Sequence, residues 1–185
     1  MKKLINKAGA RHLTLSQNQI DYILSNYIER NGIVFKFSKK TGMYKPASQW
    51  NDGNYYYTTI TNKRVALNKN YKIHKLVWLL NHREEAQGNI DHINGEKLQN
   101  NIDNLRIASC SQNTRNAGTT VASTTGLKGV YQNGKKYIVQ ITLETGKLKT
   151  IGRFDDLFKA AVAFNEACEK YLSAEILAFQ RMNNI

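Results

Sequence analysis

A chain of 185 residues is long enough for one sizeable core or two small ones, and no more. Its net charge of +13 comes from 27 Lys and Arg against 14 Asp and Glu, while 41% hydrophobic and 10% aromatic residues place it outside the disordered class. The longest apolar runs are five residues, Leu76 to Leu80 and Ala160 to Phe164, far below the roughly 20 that span a bilayer, which excludes a transmembrane reading.

The basic start Met1-Lys2-Lys3 is followed by no apolar segment or small-residue cleavage site, and Cys110 and Cys168 form no CxxC pair. Both features predict an unsecreted, cytoplasmic protein with reduced thiols. The charge is uneven. Residues 1–75 hold 14 basic against three acidic groups and residues 119–152 hold five against one, whereas residues 76–118 hold four against five. Two basic blocks flanking a near-neutral middle suit a polyanion better than a solvated surface alone. No long amphipathic segment carries lysines on one face, so a membrane-surface role is not expected.

In chain order, Ile20, Ile23, Leu24, Tyr27 and Ile28 recur at helical spacing and predict a helix over Ser16 to Glu29. Thr14 with Gln17, or Ser16 with Gln19, offers a capping box, and Asn31-Gly32 supplies the stop. Short β-like runs follow at Ile33 to Phe37, Tyr55 to Ile60, Arg64 to Leu67 and Tyr71 to Ile73, with turns at Thr41-Gly42, Asn51 to Asn54, Asn62-Lys63 and Asn68 to Asn70. A short helix is expected at His74 to Asn81. Gly88 to Asn104 is too polar for core. Leu105, Ile107 and Ala108 then lead into a capping box, Ser109 with Gln112, that starts a helix through Ala117 and puts Asn113 and Asn116 on one face.

Residues 118–125 are small or hydroxylated and read as a linker. Beyond it, Leu127 to Gln132, Lys136 to Leu143 and Leu148 to Ile151 predict three strands joined at Asn133-Gly134 and Thr145-Gly146. Val139, Ile141 and Leu143 alternate with Ile138, Gln140 and Thr142, so one face seeks a core. Its partner is an alanine-rich helix capped by Asp155 or Asp156, with Leu157, Ala160, Ala161, Phe164, Ala167 and Cys168 in its stripe.

The chemistry-bearing constellation is Asp91-His92 with Gly95, Asn100, Asn104-Leu105-Arg106 and Asn113. A carboxylate beside an imidazole supplies a hard oxygen ligand for a divalent cation and a base suited to neutral pH, both of which phosphodiester hydrolysis needs. Asn113 offers a second, neutral oxygen ligand.

The stretches YKIHKLVWLLNH, NIDHINGEKLQNNIDNLR and SQNTRN, within residues 70–116, resemble the HNH nuclease family, specifically homing endonucleases of phage and intron type. The resemblance implies an α+β fold with a ββα-metal core at about 70–117, double-stranded DNA as partner, and Mg2+ or Mn2+ as cofactor. It implies His92 as general base, Asp91 and Asn113 as metal ligands, and Asn104 as the residue that ties the hairpin and orients the histidine. His74 stands where such nucleases carry a histidine before a short helix, in a catalytic, phosphate-contacting or structural role. Arg106 is a candidate phosphate contact. A structural zinc on His74, His82, His92 and Cys110 is set aside, because zinc-bearing relatives use paired cysteines that are missing here.

GLKGVYQNGKKYIVQITLETGKLKTIGRFDDLFKAAVAFNEACEKYL resembles the apetala-type DNA-binding domain of plant ethylene-response factors, a three-stranded antiparallel sheet packed on one helix. Carried over, Lys128, Tyr131, Lys136, Gln140, Thr142 and Thr150 would face DNA. The expected organisation is a nuclease domain over 1–117, a linker over 118–125 and a recognition domain over 126–185. The expected activity is site-specific cleavage, nicking by a monomer, with no small-molecule cofactor and a bacterial cytoplasm as the setting of a phage-encoded enzyme. The competing readings are a non-catalytic DNA-binding regulator and a nonspecific or restriction-type nuclease.

Overall fold

The computed structural model describes residues 14–119 and 123–185; the basic start, His12 and the centre of the expected linker, residues 120–122, lie outside the described residues. The chain divides into two compact units, one running through Ala86 and including Leu98–Ile102, the other comprising Gln87–Lys97 and Asp103–Ile185.

In the first unit, α1 (Gln17–Asn26) opens on the capping box of Ser16 with Gln19, one of the two expected. The helix does not reach Glu29. Tyr27 turns to φ −129° and ψ 146°, and β1 (Tyr27–Arg30) pairs antiparallel with β2 (Ile33–Ser38). The cause is the Asn31-Gly32 pair. Both residues take positive φ, 51° and 78°, the geometry in which Asn-Gly joins two strands, so the dipeptide makes a hairpin instead of ending a helix.

The first sheet is completed by β3 (Met43–Pro46); β4 (Trp50–Asn51), β5 (Tyr56–Asn62) and β6 (Leu67–Lys72) form a second. The turn expected at Asn68 to Asn70 is mid-strand. The Oδ1 atoms of Asn70 and Asn68 accept hydrogen bonds from the Thr59 and Thr61 hydroxyls opposite them, at 2.7 and 3.2 Å. The chain turns earlier, at 63–66, where Asn62 Oδ1 accepts from the Arg64 amide at 2.8 Å and Ala66 has φ 50°. The α2 helix (Ile73–His82) packs on β1, β2, β5 and β6, burying Ile73, Leu76, Val77 and Leu79 in a core shared with Ile23, Val34 and Ile60.

The second unit begins with the two-stranded antiparallel pair β7 (Asn89–His92) and β8 (Leu105–Ala108), against which α3 (Cys110–Asn116) packs. The Ser109–Gln112 capping box starts α3 as expected. The hydrophobic pattern carries no signal for β7, because Ile90 is its sole apolar residue.

The remainder is a three-stranded antiparallel sheet, β9 (Val130–Asn133), β10 (Lys136–Thr142) and β11 (Leu148–Phe154), with β10 central and α4 (Leu157–Tyr171) across one face. Asp156 is the residue that caps α4. Val130, Val139 and Ile141 form the core with Ala160, Phe164, Ala167 and Cys168, as the alternation of β10 predicts. A register slip pairs Val139 with Gly152 but Gln140 with Thr150, leaving Ile151 as the extra residue of a bulge. After α5 (Ala174–Leu177), the C-terminal segment is held by Asn183, whose Oδ1 accepts from the Lys128 amide at 2.7 Å while its Nδ2 donates to the Lys128 carbonyl at 3.0 Å. No helix among the described residues is long and apolar enough to cross a membrane.

Candidate active site

Strand pairing brings the chemistry-bearing residues of the second unit together. Asp91 lies opposite Arg106 and His92 opposite Leu105, so a carboxylate meets a guanidinium directly across the ladder. Arg106 Nε donates to Asp91 Oδ2 at 2.9 Å, with Asp91 only 5% exposed. Beyond the strands, the Ile93 amide donates to the Asn104 carbonyl at 2.8 Å and the Asn94 amide to Asn104 Oδ1 at 3.1 Å. Asn104 thus closes the base of the loop with both its main chain and its side chain. The Gly95 amide donates to the His92 carbonyl at 2.8 Å.

Helix α3 adds the third side of the site. Asn116, buried, donates from Nδ2 to Asp91 Oδ1 at 3.1 Å, to Asp91 Oδ2 at 3.0 Å and to the His92 carbonyl at 2.7 Å. Asn113, one turn earlier on the same helix, is exposed. His92 is buried, and its backbone is fixed by Asn116, Gly95 and its strand partner. His74 belongs to the first unit, where it is buried at the start of α2 with its ring centroid 5.2 Å from that of Tyr55.

Two expected DNA contacts are engaged with protein atoms. Besides Asp91, Arg106 donates from Nη1 to the Ala178 carbonyl at 2.7 Å and lies 3.9 Å from the Phe179 ring centroid. Lys128 turns its ammonium to the C-terminal end of α3, donating to the carbonyls of Thr114 at 3.1 Å, Ala117 at 2.7 Å and Arg115. This is where a helix leaves carbonyls without partners. Burial, then the nearby charges of Arg181 and Arg115, pulls the Lys128 ammonium down to about 8 from its ordinary 10.5.

The other candidates stand on the sheet. Tyr131, Lys136, Thr142 and Thr150 are exposed and Gln140 is half-buried, its Nε2 donating to Thr150 Oγ1 at 3.1 Å. Lys136 pairs with Asp155 at 3.2 Å in solvent, a contact of little energetic weight. Arg153 is missing from the sequence-based set. Simple alternation from Thr150 would turn Arg153 inward, but the bulge shifts the parity, and Arg153 lies exposed across from Ile138, with Tyr131 on Ile138's other side. Arg115 is missing from it too, and it donates to the Thr142 and Leu143 carbonyls at 2.9 Å each, tying α3 to the sheet. Neither residue has a local sequence signal, because both placements depend on tertiary register.

No group of three or more His, Cys, Asp or Glu side chains able to hold a metal occurs among the described residues. Asp91 is a hard-oxygen donor of the kind that Mg2+ accepts, since that ion keeps most of its waters and takes only one or two protein carboxylates, and Asn113 stands exposed on α3. The donor chemistry therefore fits such a cation, and an all-protein cage is not part of it.

No curated protein and no solved structure matches the chain. Residues 71–115, less than half of the chain, match the family model described as HNH endonuclease. The matched stretch contains Asp91, His92, Asn104, Arg106 and Asn113.

Proposed function

We propose that the protein is a site-specific DNA endonuclease of the homing or free-standing phage type, with a ββα-metal cleavage site on β7, β8 and α3 and an apetala-type module that selects the target. The observation that carries this reading is the arrangement around Asn116: its single amide bonds both oxygens of Asp91 and the carbonyl of His92, next to the stretch that matches the nuclease family.

In this reading His92 takes the proton from the water that attacks the phosphorus, and Asn104 fixes the loop that follows it. Asp91 and Asn113 would hold Mg2+ or Mn2+. A cation held there supplies positive charge where negative charge grows on the phosphate and the leaving 3′ oxygen. His74 contributes as a phosphate contact or as a support of the first unit. The side chains that cleave lie within residues 1–117 and those that choose the site within residues 126–185, with 118–125 between them in the chain. Tyr131, Lys136, Gln140, Thr142, Thr150 and Arg153 form the DNA-facing sheet surface, with glutamine suited to adenine and threonine to the thymine methyl. A monomer with one such site nicks one strand of double-stranded DNA in a bacterial cytoplasm, where Cys110 and Cys168 stay free thiols.

The test is to map cleavage on end-labelled duplex DNA with Mg2+ or Mn2+. The expected result is a nick at one preferred position with a 5′-phosphate and a 3′-hydroxyl, strongly reduced in Asn113→Ala. Ends bearing a 3′-phosphate, or cuts scattered without preference, would overturn the reading.

A further inference from the structure

Asp91 is the proposed metal ligand, and about half of its accepting capacity is already taken. A carboxylate offers about four lone-pair sites. Oδ2 accepts from Arg106 Nε and from Asn116, and Oδ1 accepts from Asn116. Asn116 has two N–H groups and gives one to the His92 carbonyl, so the other is shared between the two Asp91 oxygens; with Arg106 it takes about two of the four sites, leaves Oδ1 the less occupied oxygen, and holds the plane of the carboxylate.

The guanidinium that fixes this plane is itself held from far along the chain. Its Nη1 reaches the Ala178 carbonyl, 72 residues later, and its face lies 3.9 Å from the Phe179 ring centroid. The same C-terminal segment touches the site again. The Arg181 amide donates to the Arg115 carbonyl at 3.2 Å, and the Arg181 guanidinium sits against Gly95, where an added Cβ would lie 2.1 Å from Nη1. Arg106 thus spans three partners with one planar fork, a geometry lysine cannot reproduce.

We propose that Arg106 and Phe179 are positioning residues of the cleavage site: the C-terminal segment seats the Arg106 guanidinium, and Arg106 orients the Asp91 carboxylate for a divalent cation. This rests on the reading of Asp91 as a metal ligand. Partners that orient a metal ligand without touching the metal typically change affinity or activity by about 10- to 100-fold. The C-terminal segment of the proposed DNA-reading module would then set the metal affinity of the cutting site.

The test is calorimetric titration of the full-length protein with Mn2+ alone, alongside DNA binding in EDTA and thermal melting. Phe179→Ala is expected to weaken Mn2+ binding about tenfold or more with DNA binding in EDTA unchanged, and Phe179→Tyr, which keeps the aromatic face, to restore it. Arg106→Lys is expected to weaken Mn2+ binding comparably, although the formal charge is kept. Wild-type Mn2+ affinity in both Phe179→Ala and Arg106→Lys overturns the proposal. So does tighter binding in Arg106→Gln, which would make Arg106 a competitor for the carboxylate. Asp91→Asn separates the two levels: if it binds Mn2+ as wild type does, the metal-ligand reading itself fails, whatever Phe179 does.

Discussion

Lys128 changes its meaning between sequence and structure. The resemblance to the apetala-type domain implies that it is a DNA contact, yet its ammonium closes the end of α3 by donating to that helix's carbonyls. Its titration near 8 follows from burial and from two neighbouring arginines. Below about pH 8 the folded and unfolded states are both charged, and the burial penalty is present in full. Between there and 10.5 the folded chain gives up its proton first, so stability rises with pH. Melts of wild type and Lys128→Met should therefore diverge in favour of wild type on going from about pH 7.5 to about pH 10, and a constant difference would contradict the assignment. Asp91, His92, Asn104 and Asn113 are legible in the sequence as candidates because their spacing is local. Arg106 and Asn116 are legible too, as a candidate phosphate contact and as a helix position beside Asn113, but not as the partners that hold Asp91, because strand register and a helix approach decide that.

At the scale of elements, the chain follows local chemistry wherever that chemistry has one meaning. The Ser16 and Ser109 capping boxes and the hydrophobic alternation of β10 carry over unchanged. It departs where a signal has two meanings: Asn31-Gly32 joins strands, and Asn68 to Asn70 extend β6 because threonines stand opposite. The Lys-Gly-Val start of the C-terminal module has a steric basis. Gly129 has φ +68°, and an added Cβ would lie 2.1 Å from the Phe164 ring and 2.5 Å from the Gln140 carbonyl oxygen. Gly129→Ala combines a left-handed penalty with overpacking against rigid atoms and should cost about 2–4 kcal/mol, read by urea unfolding of the full chain. A cost under about 1 kcal/mol would mean that the sheet and α4 are looser than the core suggests.

At the scale of the whole molecule, the charge of +13 is concentrated in two stretches of the sequence, residues 1–75 and 119–152. The first unit carries most of the lysines, and Lys75 is held below its ordinary range by burial and by the charges of Lys72 and Lys69. Replacing the exposed Lys39, Lys40 and Lys45 with glutamine should weaken DNA binding and lower the slope of log affinity against log salt by about 0.9 for every phosphate no longer neutralised. An unchanged slope would move the phosphate-binding surface elsewhere. The hairpin, α3 and the three-stranded sheet share one compact unit, linked by Arg106, Arg115 and Lys128. Composition suggests a linker at 118–125 but gives no sign of these cross-links, which long basic side chains make to distant carbonyls. Removing residues 118–185 is thus expected to cost cleavage as well as site choice.

The most direct test of the central claim is a plasmid-nicking assay with Mg2+ or Mn2+, run on wild type and His92→Ala with DNA binding measured in parallel. The account predicts nicked circles from wild type, a loss of about 100- to 10,000-fold in His92→Ala, and equal DNA retention by both. Wild-type protein that binds the plasmid yet leaves it supercoiled with either metal would contradict it.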